Sequence, residues 1–195
     1  MPGAILSAFL AFTFITAFTP GPNNILALAS GSRYGFKGSL PIVAGICLGL
    51  SCVMVICGSA SFSISALSER SVAIMKCVGC VYILWLAWKV ATARPENEGK
   101  GEARSGFMSG FILQFANIKI IIYGLTAFSG FVLPYYDSPG AVAFFMFLLS
   151  LIGTLGVLAW AMAGSALRRF LNRHARIANT VMGLMLLGCA VCLLV

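Results

Sequence analysis

The chain has 195 residues, of which 60% are hydrophobic and 9% charged, and its formal net charge is +8 at pH 7. So little polar surface excludes an ordinary soluble domain and marks an all-α integral membrane protein. The basic residues sit in short loops without interleaved stacking aromatics, which argues against nucleic acid and for contact with anionic lipid headgroups.

In chain order, apolar stretches run from Ala4 to Ser30, Leu40 to Ala60, Val72 to Ala91, Phe107 to Leu133, Ala141 to Ala166 and Ile177 to Val195. Six transmembrane helices are expected from stretches of about 20 residues each. The leading MPGAILSAFL carries no Lys or Arg, and apolar sequence resumes after Asn23 and Asn24. The first span is therefore expected to be retained rather than cleaved as a secretory signal.

That first span is interrupted by TPGPNN, Thr19 to Asn24. Pro20 and Pro22 have no N–H, so the carbonyls of Thr16 and Phe18 lose their helical partners. Unpaired backbone at that depth survives only against protein or a water-filled cavity. A half-helix restarting at Pro22 would aim the N–H groups of Asn23, Asn24 and Ile25, and the positive end of its dipole, into such a cavity. A carboxylate suits those donors, whereas Thr19, the freed carbonyls and the Asn side-chain oxygens suit an ammonium. Together they match a zwitterionic amino acid. The plainer alternative is a proline kink packed against neighbouring helices.

In the second span, Gly45 and Gly49 in GICLG permit close helix contact, either in a homodimer or between parts of one chain. Cys47, Cys52 and Cys57 recur every five residues and do not share a helix face. The CxxC pairs Cys77/Cys80 and Cys189/Cys192 lie in apolar spans, where cysteine is a small packing residue; no metal or cofactor is expected.

TARPENEGKGEARSG, between spans three and four, is the only linker-like stretch. It divides a single transport domain, residues 1–195, into repeat one (about 1–92), a loop (about 93–105) and repeat two (about 106–195). Three spans is an odd number, so a second half copying the first must be inverted in the membrane. Aligning FITAFTPGPNN with FILQFANIKII at an offset of 97 residues places Phe14 on Phe111, Phe18 on Phe115 and Pro20 on Asn117. Span four should therefore also be broken, with Gln114, Asn117 and Lys119 facing the Pro20–Gly21–Pro22 break. Lys119 lies roughly 18 to 20 Å from either span end at about 1.5 Å per residue, beyond a snorkelling stem. An ionisable residue at that depth is a functional candidate, the alternative being a cytoplasmic anchor at a span that starts later.

Ten of the thirteen Lys and Arg residues fall in the first, third and fifth loops. Lys and Arg are retained on the cytoplasmic side, so both termini are expected in the periplasm.

TPGPNN, GFKGSLPIVAGICLG (Gly35 to Gly49), VGCVYILWLAWK (Val78 to Lys89) and Asn117-Ile118-Lys119 together resemble the LysE/RhtB family of amino-acid exporters along the whole chain. The resemblance implies efflux of a small neutral amino acid such as cysteine or O-acetylserine across a bacterial inner membrane, in exchange for protons and without nucleotide. Exporters of homoserine, threonine or basic amino acids are alternatives within the family. Two departures bear on substrate. Where many members carry Asp after Pro-Gly-Pro this chain has Asn23, and Ile118 replaces the proline of the common Asn-Pro-Lys. With no acid in any span, a cationic side chain has no counter-charge, and Lys119 is left as a candidate for proton coupling, with coupling through substrate protonation equally open.

An intramembrane enzyme would need an acid–base or metal-binding constellation within the spans. His174, the only histidine, and the five acids Glu69, Glu96, Glu98, Glu102 and Asp137 all fall in loops. A passive channel or an assembly subunit remains as the non-carrier alternative, since pores also use broken helices.

Overall fold

A computed structural model describes residues 1–61, 81, 84, 85, 87, 88, 91 and 103–194. Every regular element among them is a helix: α1 (Gly3–Phe18), α2 (Pro22–Ser61), α3 (Ala103–Ala116), α4 (Ile118–Thr126), which runs on as π-helical turns over Ala127–Val132, α5 (Pro139–Ala166), α6 (Arg168–Arg173) and α7 (Ala175–Leu194). Most of span three, with Cys77 and Cys80, and most of the linker fall outside the described residues.

Among the described residues two helices, Pro22–Ala60 and Pro139–Ala166, are long and apolar enough to cross a bilayer, and the bent pair Gly106–Ala116 plus Ile118–Val132 counts as a third if it is one span. Pro22–Ala60 is not one straight rod. Gly35 has φ 73° and ψ 173°, separating an N-terminal arm (residues 22–34) from a C-terminal arm (36–61). The polar stretch between Ser30 and Leu40, read above as a loop, is thus helical except at one residue. Glycine makes this possible because a positive φ is unstrained without a Cβ. The restarted helix is capped from elsewhere: the Phe36 N–H donates to Ser165 Oγ at 3.0 Å, at the end of α5. Likewise the interval between spans five and six, read as a basic loop, contains the short helix α6.

The ends of α5 follow local rules. Pro139 occupies the first turn, where a missing N–H is harmless, and Ser138 accepts from the Ala141 N–H.

Backbones approach closely wherever glycines face carbonyls. A Cβ on Gly45 would stand 2.0 Å from the Phe107 carbonyl oxygen, and one on Gly110 would stand 2.4 Å from that of Ile42. A Cβ on Gly49 would meet Gln114 and Phe111. Gly45 and Gly49 therefore serve packing within the chain, of the C-terminal arm of α2 on α3. On the other side of α2, Gly31 fits against the Ala161 carbonyl and Gly164 against the Leu28 carbonyl, at 2.2 and 2.1 Å for the corresponding Cβ positions. Small residues that let backbones touch are the usual basis of helix association in lipid, where apolar burial between helices contributes little. By this means α2 is held between α3 and α5.

Two apolar clusters result. One gathers Ile25, Ile46, Leu113, Val157 and Leu186; the other gathers Phe9, Met54, Tyr123, Phe128 and Leu149. Ile15, Leu48, Phe147 and Leu155 are exposed on the outside, as a lipid-facing surface requires.

Candidate functional site

Both expected breaks are present, and they meet. α1 ends at Phe18, Thr19 is extended (φ −68°, ψ 142°), and helix resumes at Pro22. In the second half, α3 ends at Ala116, Asn117 is extended (φ −87°, ψ 90°), and α4 starts at Ile118 after a bend of 55°. Proline explains the first break. No proline explains the second; there the Asn117 side chain is drawn across to the other half.

That side chain belongs to a buried cluster of three amides. Asn23 Nδ2 donates to Gln114 Oε1 at 2.7 Å, and Gln114 Nε2 returns a bond to Asn23 Oδ1 at 2.9 Å. Asn117 Nδ2 donates to the same Asn23 Oδ1 at 2.8 Å, and Gln114 Nε2 also reaches the Gly110 carbonyl at 3.0 Å. All three residues are buried, at 5%, 0% and 1% exposure for Asn23, Gln114 and Asn117. Each amide is oriented by another, so the cluster fixes one break against the other.

Lys119 makes the second link. Its Nζ donates to the Thr19 carbonyl at 2.9 Å and lies 3.5 Å from the Pro20 carbonyl. Gly21 makes room for it, since a Cβ there would stand 3.0 Å from Lys119 Cδ and 3.1 Å from Nζ. Lys119 is thus an inward-facing residue that reaches across to the first break.

The fate of the freed carbonyls departs from expectation. Phe18 O, left without a partner by Pro22, accepts from Trp160 Nε1 at 3.1 Å. Asn24 Nδ2 donates to Ala17 O at 2.8 Å and to Thr19 O at 2.9 Å. The Thr19 hydroxyl turns back to Ile15 O, as does its N–H. Phe18 O and Thr19 O are therefore both occupied, the latter by Asn24 Nδ2 and Lys119 Nζ, so the Thr19 and Pro20 carbonyls serve an ammonium only when Lys119 Nζ withdraws from them. The Ile25 N–H is also spoken for, by Gly21 O at 2.9 Å. The donors at this helix start are those of Asn23 and Asn24, because the first-turn N–H groups of a helix have no acceptor inside it. α4 offers a matching start at Ile118 and Lys119, since Ile120 and Ile121 N–H already go to Asn117 O.

These groups surround a cavity of about 20 Å³ lined by Gly21, Asn23, Asn24, Asn117, Lys119 and Tyr123 among others. Among the described residues, the wall contains one cation, Lys119, and no carboxylate. With two helix N-termini directed at it, it is electropositive. About 20 Å³ holds roughly one water, so the cavity has to widen before it can hold an amino acid. Of the residues singled out in the sequence, Gly21, Asn23, Asn24, Asn117 and Lys119 line the cavity. Thr19 and Pro20 contribute carbonyls beside it, Pro22 begins the half-helix, and Gln114 braces Asn23 from behind. Tyr123, Trp160 and Gly153 were not singled out. Tyr123 and Trp160 each carried a signal, a phenol and an indole inside apolar spans whose O–H and N–H need partners.

Comparison with known proteins adds an independent finding. Residues 14–195 match the family described as LysE type translocator. The chain is 44% identical over 191 residues to the cysteine/O-acetylserine efflux protein of Escherichia coli (strain K12), covering 98% of each chain. The protein of that name from Shigella sonnei (strain Ss046) is similar to the same extent, 44% over 191 residues and 98% of each. No solved structure matches the chain.

Proposed function

The chain belongs to the LysE type translocators, and from that premise we propose that it exports a small neutral amino acid, cysteine or O-acetylserine, from the cytoplasm through the cavity between its two helix breaks. It is a transporter of the membrane, not an enzyme. The observation that carries the site is the Lys119 Nζ to Thr19 carbonyl bond of 2.9 Å, which joins the two breaks at a cavity with no carboxylate among its described lining residues.

The chemistry of exchange follows from that bond. Lys119 occupies the acceptor that a substrate ammonium would use, and Thr19 O occupies the donor that a substrate carboxylate would use. A zwitterion entering between them takes over both, its carboxylate held by Lys119 and the first-turn N–H groups of α2 and α4, its ammonium by the Thr19 and Pro20 carbonyls. Charge-assisted bonds of this kind are the stronger ones, so the substrate replaces one closed contact with two. The cavity must widen to admit it, and the Lys119 contact is what holds the two breaks together in the empty carrier. A basic side chain would bring a second cation beside Lys119 with no acid to meet it, which favours neutral substrates.

The wider reading has six spans arranged as two inverted three-helix repeats, with both termini in the periplasm and the protein in a bacterial inner membrane. Export runs against protons moving inward, and Lys119 is the candidate carrier. The two similarly broken helices meeting at one site, as in other inverted-repeat carriers, support this architecture.

The test uses the full-length protein in liposomes with labelled cysteine, O-acetylserine, threonine and lysine, with and without an imposed proton gradient. The neutral amino acids are expected to show counterflow, and a gradient to drive net movement against concentration. Transport of lysine alone would refute the neutral-substrate reading. Net movement indifferent to the gradient and to an uncoupler would refute proton exchange. Absence of counterflow for every amino acid would favour a passive channel or an assembly subunit.

A further inference from the structure

The amide cluster has a fixed polarity. A carbonyl oxygen only accepts, so the Gln114 atom facing Gly110 O must be Nε2. Its Oε1 then accepts from Asn23 Nδ2, Asn23 presents Oδ1 to both neighbours, and Asn117 donates to it through Nδ2. What is left over is Asn117 Oδ1, an acceptor in a residue 1% exposed, with no hydrogen-bond partner among the described residues. Asn117 is also the N-cap of α4, a position where an Asn side chain ordinarily accepts a first-turn N–H. Here it makes no capping bond.

A second polar atom shares this condition. Asn117, Ile120 and Tyr123 follow one another at three-residue intervals and all line the cavity. Tyr123 is 2% exposed, and its hydroxyl has no hydrogen-bond partner among the described residues. Its ring is held in place by stacking on Phe12, with centroids 5.8 Å apart and planes 27° from parallel. Buried polar atoms are nearly always paired, and the two residues that carry these line one small cavity. The other walls, Leu50, Gly153 and Val157, are apolar.

We propose that Asn117 Oδ1 and the Tyr123 hydroxyl form a subsite for the side chain of the transported amino acid, supplying one acceptor and one donor. The carrier then selects a short side chain bearing a thiol, a hydroxyl or an ester oxygen over an aliphatic one of the same size. A thiol or hydroxyl can donate to Asn117 Oδ1 or accept from Tyr123; an ester oxygen accepts from Tyr123. The inference rests on the cavity being the substrate site, and it gives Tyr123 a role separate from the contacts that hold the carboxylate and ammonium. A site built to hydrogen-bond a substrate rejects the analogue lacking the group, because its own buried polar atoms stay unpaired.

The experiment is competition in liposomes carrying the full-length protein. Counterflow of labelled cysteine, kept reduced, is measured against unlabelled cysteine and against 2-aminobutyrate, in which a methyl replaces the thiol. In the wild type, 2-aminobutyrate is expected to compete about tenfold more weakly than cysteine. Tyr123→Phe is expected to narrow that gap severalfold by weakening cysteine more than 2-aminobutyrate. Equal competition in the wild type, or an undiminished gap in Tyr123→Phe, overturns the subsite. Should Tyr123→Phe fail to accumulate, Tyr123→Met is measured with the same two outcomes. Counterflow without the gap removes this inference alone, whereas no counterflow of any amino acid removes the export reading with it.

Discussion

At Gly21 the missing side chain is what lets the Lys119 stem lie across the first break. Gly21→Ala would bring a Cβ within 3.0 Å of Lys119 Cδ, and the atom it meets is the flexible part of a long side chain rather than backbone. Lys119 is therefore displaced at little cost to folding, about 1 kcal/mol or less. The expected result is a protein of near-normal thermal stability in detergent with transport reduced severalfold; unaltered transport would detach Lys119 from the cycle. Asn23→Asp, the residue that many family members carry there, should behave differently. Its carboxylate would replace a donor facing Gln114 Oε1, and Gln114 cannot turn over without losing Gly110 O. Loss of that buried pairing should destabilise the protein by about 1–3 kcal/mol, checked by thermal unfolding. Lys119 and the Pro–Gly–Pro run were legible as anomalies because each breaks a local rule of membrane helices. The Trp160 bond to Phe18 O was not, because it joins residues 142 positions apart, and nothing near Phe18 in the chain announces it.

Among elements, the contact between the C-terminal arm of α2 and α3 depends on glycine in the same local way on both helices. Gly110→Ala places a Cβ 2.4 Å from the Ile42 carbonyl oxygen, a backbone atom that cannot step aside, so the helices must separate. A loss of about 1–3 kcal/mol is expected from such overpacking. Gly130→Ala, with nothing within 4 Å of its Cβ position, should change stability by no more than about 0.5 kcal/mol. Equal effects of the two substitutions in detergent unfolding would contradict this packing. Gly45 and Gly49 showed in the sequence that some close contact exists, but a small-residue spacing does not identify the partner helix. Gly35 was hidden differently. Polar residues around it suggested a loop, whereas a single positive φ turns the chain and leaves its neighbours helical.

For the whole molecule, the proposed architecture places the two half-helix starts at one electropositive cavity, reached alternately from either side. Orientation rests on the basic loops alone, so it is tested apart from the site. Alkaline phosphatase, which is active only in the periplasm, should be active when fused after Val195 and inactive when fused at Glu98. The reverse pattern would invert the topology without altering the geometry of the breaks. The central claim is that the Lys119 ammonium, held against the opposite break, receives the substrate carboxylate. Its most direct test is counterflow of labelled cysteine in liposomes containing equal amounts of folded wild-type protein or Lys119→Met. Methionine keeps an unbranched apolar stem and removes the charge, so the account predicts an inserted, folded protein with counterflow abolished. Counterflow at the wild-type rate in Lys119→Met would contradict it.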